Sequence, residues 1–164
     1  MSEQEVKKET QICPKCGADL NAGPIQVSEE DCREYFRRLI AGEPFEKEYK
    51  YLGGEVAIRL RELTTEQTDK LVNYVRTIQD DQLVMLYAFR AKFIASCVYL
   101  CVGSNVIIDG PITEKDMDKD LSGVYAKKVG ELSSTVANLT DDALRSFNQL
   151  IEGAVQEAVT SKAF

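Results

Sequence analysis

The chain has 164 residues, 44% of them hydrophobic and 29% charged, so it is long enough for one domain with a sizeable core. Its 20 Lys and Arg against 27 Asp and Glu give a net charge of −7, which argues against a nucleic-acid binder, since that needs a basic face. With no histidine, neither a Ser-His-Asp or Cys-His nucleophile system nor an HExxH metal site can be built.

Residues 1–11 are polar and charged, without the apolar core of a signal peptide, and read as a flexible tail. Residues 12–27 hold Cys13-Pro14-Lys15-Cys16-Gly17, a turn-rich, zinc-knuckle-like element. Two thiolates at this spacing can reach one tetrahedral zinc ion, so the cofactor expected is a structural zinc. Cys32 is the candidate third ligand, with an acidic or exogenous fourth. Alternatively Cys97 and Cys101, four apart on an expected helix, share a face and complete the site. Burial as small core hydrophobes is the preferred reading of that pair. Five cysteines, an odd number, fit a reducing cytoplasm better than a disulfide framework.

Residues 28–164 read as a helical domain with a hairpin at 45–62. Ser28 is an N-cap ahead of Glu29, Glu30 and Asp31. Cys32, Tyr35, Phe36, Leu39 and Ile40 then recur at helical spacing, and Gly42 is the stop. Gly53-Gly54 separates two runs that pair as a hairpin on a two-residue loop. The register that pairs Tyr51 with Val56 and Tyr49 with Ile58 makes one face apolar. Glu48 with Arg59 and Glu46 with Arg61 then join opposite charges on the other face, as a solvated surface rather than a catalytic cluster. Lys47 opposite Leu60 is the one mismatch.

Thr64 and Gln67 form a capping box for a helix buried through Leu71, Val72, Val75 and Ile78. A further helix is expected from Asp80 or Asp81 to about Val102, apolar nearly all round. Arg90 and Lys92 at its centre argue against a membrane span. Val106-Ile107-Ile108 reads as a short buried segment. Thr113 opens an acidic turn holding Asp116, Asp118 and Asp120, which lacks the Gly and closing Glu of a calcium loop. A helix with Leu121, Val124, Tyr125 and Val129 follows. Thr140 is the expected cap of the last helix, whose apolar residues include Leu144, Phe147, Ile151 and Val155. That stripe is wider than a coiled-coil seam needs, and it is the candidate partner-binding face, with a plain core stripe as the alternative. The fold class expected is α+β, mainly α: four to five helices packed on one β-hairpin, with an N-terminal CPxCG knuckle.

The run Tyr35-Phe36-Arg37-Arg38-Leu39-Ile40-Ala41-Gly42-Glu43-Pro44-Phe45, continuing through the hairpin to Arg61-Glu62-Leu63-Thr64, resembles the small assembly proteins of tailed bacteriophages. These are the tail assembly chaperones and baseplate-hub assembly proteins, in which a short helix leads into G-x-P-F, a hairpin, R-x-L-T and further helices. Ala95–Leu100 and Val106–Gly110 are similar to their central helix and the loop after it. The resemblance implies a non-enzymatic role: binding another tail component, such as a tape-measure or hub protein, in the host cytoplasm, or remaining as a minor part of the virion tail. No catalytic residue carries over, neither nucleic acid nor membrane is an implied partner, and self-association stays open. The knuckle is no part of the pattern. It suggests the alternative of a cytosolic zinc-ribbon adaptor or regulator that binds a protein partner.

Overall fold

The computed structural model describes residues 27–161. The expected tail at 1–11 and the knuckle with Cys13 and Cys16 lie outside the described residues. The first helix, α1 (Glu29–Ala41), begins where Ser28 accepts a hydrogen bond from the Asp31 N–H (3.1 Å) and three acids face the positive helix end. It ends at Gly42, whose left-handed φ of 71° lets Gly42 and Glu43 donate to the Leu39 and Arg38 carbonyls.

Strands β1 (Glu46–Tyr51) and β2 (Val56–Arg61) pair antiparallel in the expected register, from Glu46 opposite Arg61 to Tyr51 opposite Val56. Val56, Ile58 and Leu60 point into the core, while Glu46–Arg61 (2.7 Å) and Glu48–Arg59 (3.5 Å) span the outer face. The connection is longer than the expected two residues. Leu52–Gly54 form a 3-10 turn in which φ is 52° at Leu52, 67° at Gly53 and 95° at Gly54. Two glycines supply most of this left-handed run without a Cβ penalty. The Lys47 mismatch is resolved from outside the hairpin, because its amine pairs with Asp31 of α1 (2.7 Å).

After α2 (Thr65–Arg76), which carries the expected Thr64–Gln67 capping box, the structure departs from the expected architecture. The apolar run does not form one helix to Val102. It divides into α3 (Val84–Ser96) and β3 (Cys97–Val102), which pairs with β2. A two-residue turn leads to β4 (Asn105–Asp109), giving one four-stranded antiparallel sheet in the order β1-β2-β3-β4 instead of a lone hairpin. A continuous apolar run has no period to separate helix from buried strand. Val98, Tyr99 and Val102 favour a strand, and the unpaired side of β2 supplies the partner that decides it. Val106 is 51% exposed, so the 106–108 segment is a half-covered edge strand and not a buried one.

Single-turn α4 (Glu114–Met117) is capped by Thr113, and α5 (Leu121–Lys128) by Asp120. The last helix, α6 (Ser134–Ser161), starts earlier than expected. Thr140 is not its cap but a fully buried residue inside it, bonded to the Ala137 carbonyl (2.7 Å) and the Tyr125 hydroxyl (3.0 Å). Ser133 holds the helix start, where its hydroxyl accepts from the Val136 N–H (3.4 Å). Six helices among the described residues thus combine with one sheet, in the expected mainly helical α+β class. α1 and α6 meet the sheet through a ring series. Tyr35 meets Phe45 edge-on (5.5 Å), and Phe45 stacks on Phe147 (5.9 Å, 9° between planes). α3 and α5 join through Phe93 and Tyr125 (5.7 Å, edge-on).

The Asp31–Lys47 pair makes α1 docking depend on pH. Burial opposes the Asp31 charge, but hydrogen bonds from Lys47 and Ser28 outweigh it and hold the pKa below its ordinary 3.8. The stabilisation is therefore present above that unfolded value and is lost as pH falls through the lower folded one. Asp31→Asn is expected to cost roughly 0.5–1 kcal/mol at neutral pH, as a partly exposed pair should. Thermal melts check this: the deficit should shrink as pH falls below 3.8 and the Asp31 carboxyl becomes protonated in the folded as well as the unfolded state, and a deficit that acid leaves unchanged contradicts the assignment.

Candidate functional site

The four residues of the expected partner face on α6 do not share one environment. Leu144 is fully buried and Phe147 is 2% exposed, so both are core; Ile151 is half-buried and Val155 is exposed. Phe147 and Ile151 do come together at one place. They line a cleft of about 360 Å³ between α2, α3 and α6, with Leu63, Leu71 and Val72 on the α2 side. Val72 was expected in the buried stripe of its helix, yet it is 43% exposed at this rim. Adjacent helix positions differ by a wide angle, so the burial of Leu71 turns Val72 outward. Val155 lies one turn beyond Ile151 and extends the apolar surface along α6.

Three charged groups, Lys92, Glu152 and Glu62, border the cleft. Burial pulls the Lys92 ammonium below its ordinary pKa, against the opposing pull of Glu152. Glu62 accepts a hydrogen bond from Tyr35 (3.0 Å), and burial followed by that carboxylate pushes the Tyr35 pKa up to about 12. Sequence reasoning passed over Lys92 as a break in an apolar helix. Its place in a cleft became visible only once α2 and α6 were set beside α3.

A larger cleft, about 730 Å³, opens between the C-terminal end of α2 and the α4–α5 corner. Tyr74 crosses it, donating to Asp120 and accepting from the Ser122 N–H (3.2 Å). Asp120 also receives the Gly123 N–H (3.2 Å) as the α5 cap. Burial, then Asp120, raises the Tyr74 pKa further above its ordinary value, and the protonated hydroxyl serves as a latch between α2 and α5. Asp116 is engaged by Thr113 and Lys119, which separates it from Asp120; the acidic turn makes helix starts.

The cysteines are sorted by a β-bulge. Leu60 faces Cys97 and Arg59 faces Tyr99, so Val98 is an extra residue on β3. Cys97 therefore points inward with Leu60, whereas Cys101, opposite Ala57, points to the outer face. The expected shared helical face for Cys97 and Cys101 does not exist, and the two thiols cannot ligate one ion. Burial pushes the Cys97 pKa up to about 12, so it is a protonated core residue, in line with the preferred reading. Cys32 is buried on α1. Its pKa is raised by burial and then by Glu157 and Asp31. Among the described residues no group of three or more Cys, Asp or Glu is placed to hold a metal ion.

Comparison of the chain with protein-family models, with curated proteins and with solved structures gave no match in any of the three. Among the described residues no helix is long and apolar enough to cross a membrane.

The thiol placements predict an order of reactivity. Under native conditions Cys101 should be alkylated well before Cys97 or Cys32, which should react only on unfolding. Peptide mapping after timed iodoacetamide treatment checks this, and early modification of Cys97 would contradict the bulged register.

Proposed function

We propose that this chain is a non-enzymatic assembly protein of tailed bacteriophages, which binds another tail component, a tape-measure or hub protein, in the host cytoplasm or in the virion tail. The resemblance at Tyr35–Thr64 supports the reading. The observation that carries it is the apolar cleft between α2 and α6, because an amphipathic partner helix can seat in such a groove. Val72, Ile151 and Val155 would make the contact, with Phe147 as the floor beneath them.

Native mass spectrometry of the tagged chain, withdrawn gently from the cells that naturally make it, tests this. A complex with a large tail protein is expected. Joint replacement Val72→Glu and Val155→Glu should abolish the complex while leaving the circular dichroism spectrum unchanged, since both side chains are exposed. A complex that survives this change overturns the cleft as the contact surface. Phe147→Ala should instead destabilise the fold by about 3–5 kcal/mol, as loss of a buried ring does, and thermal denaturation reads it.

The CPxCG pair favours a second reading, a zinc-ribbon adaptor that meets its partner through residues 12–27. Elemental analysis of fresh protein should then give about one zinc per chain, lost on Cys13→Ser or Cys16→Ser. Deletion of residues 1–24 separates the two readings. Loss of the partner supports the adaptor, and retention supports the cleft.

A further inference from the structure

β4 is the last strand of the sheet and pairs only with β3, so its other edge has no strand partner among the described residues. Its sequence, Asn105–Asp109, contains neither Lys nor Pro, two of the usual guards against strand addition. On the inward side of this strand lies a cleft of about 430 Å³. Its floor is apolar, made by Ile94 of α3, Ile108 of β4, Ile112 and Val124 of α5. Its far wall is the basic last turn of α5, Lys127 and Lys128, both exposed and without an ion pair among the described residues. Lys119 also borders the cleft but is held by Asp116. Two unpaired ammonium groups beside an apolar floor stand out in a chain of net charge −7.

We propose that the β4 edge and this cleft bind an extended peptide segment of another protein. The segment would add as a fifth strand, and its inward side chains would be apolar, with a carboxylate for Lys127 and Lys128. Side chains of an added strand alternate between faces, so one set is directed to the cleft while backbone bonds supply affinity. Ile108, opposite the fully buried Leu100, fixes which face is inward. A second copy of this chain fits less well. The register of β3 with β4 leaves Ile107 as an extra residue, and two copies paired edge to edge would set two such bulges against each other, whereas an unbulged peptide meets one. Asp109 and Asp116 also line the cleft; Asp116 is held by Lys119, and neither acid forms an ion pair with Lys127 or Lys128. This surface is distinct from the α2–α6 cleft, and the inference does not depend on the assembly role.

Fluorescence anisotropy of the full chain with a labelled synthetic peptide, Thr alternating with Val, Ile and Glu, tests the proposal. Saturable binding is expected. Joint replacement Lys127→Glu and Lys128→Glu should weaken it roughly tenfold or more with an unchanged circular dichroism spectrum. N-methylation of alternate peptide amides should abolish it, because that removes the donors of strand pairing. Absent binding, undiminished binding of the N-methylated peptide, or no effect of the lysine changes each overturns the proposal. So does a dimer by light scattering that Val106→Lys dissociates, since the edge would then belong to a second copy.

Discussion

β2 is hydrogen-bonded on both sides, to β1 and to β3, and its inward residues Val56, Ile58 and Leu60 are at most 1% exposed. Its pairing with β3 is the contact on which the other elements depend. It ends α3 at Ser96, because the next residues exchange helical bonds for ladder bonds. It also fixes the bulge at Val98, which sends Cys97 inward and Tyr99 outward under the Arg59 guanidinium (5.5 Å to the ring). Without this pairing, β4 would have no strand to follow and the hairpin alone would be marginal.

The helices attach to that sheet by rings and by a few polar ties. Phe45 sits at the centre of one set, between Tyr35 of α1 and Phe147 of α6. Tyr125 anchors the other, touching Phe93 and sharing a buried hydroxyl contact with Thr140. Tyr51 adds a long-range tie to α6 by donating to Asp142 (2.7 Å). α2 rests chiefly on α3 and α4, and clefts open on both of its sides. Cys32, Cys97, Tyr35 and Tyr49 are neutral at pH 7, and burial raises their pKa values further; Tyr35 and Cys97 donate hydrogen bonds, while the buried Tyr49 hydroxyl has no partner. Such a frame leaves partly apolar clefts between its elements.

Local features were legible in the sequence because each depends on neighbours within a few residues. Ser28, Gly42, Thr64 with Gln67, and Thr113 all act where their chemistry predicts. The hairpin register was legible too, since a slip of one residue would mix apolar and charged faces. Thr140 misled for a related reason: a hydroxyl followed by two acids is a valid cap signal until a buried partner such as Tyr125 claims it. On the candidate face, the α6 stripe was visible but its division was not. Phe147 is covered by Phe45, while Val155 lies beyond the packed contacts.

The sequence by itself determined the class of the fold, most helix starts, the first hairpin and its charged outer face. Periodicity and capping carry that information because they act over one or two turns of chain. Only the tertiary structure decided the fate of Val84–Val102, the parting of Cys97 from Cys101, and which apolar side chains are left uncovered at the clefts. Those outcomes depend on residues far apart in the chain. A run that is apolar on every side takes its conformation from whatever it is packed against, and here that was the open edge of β2.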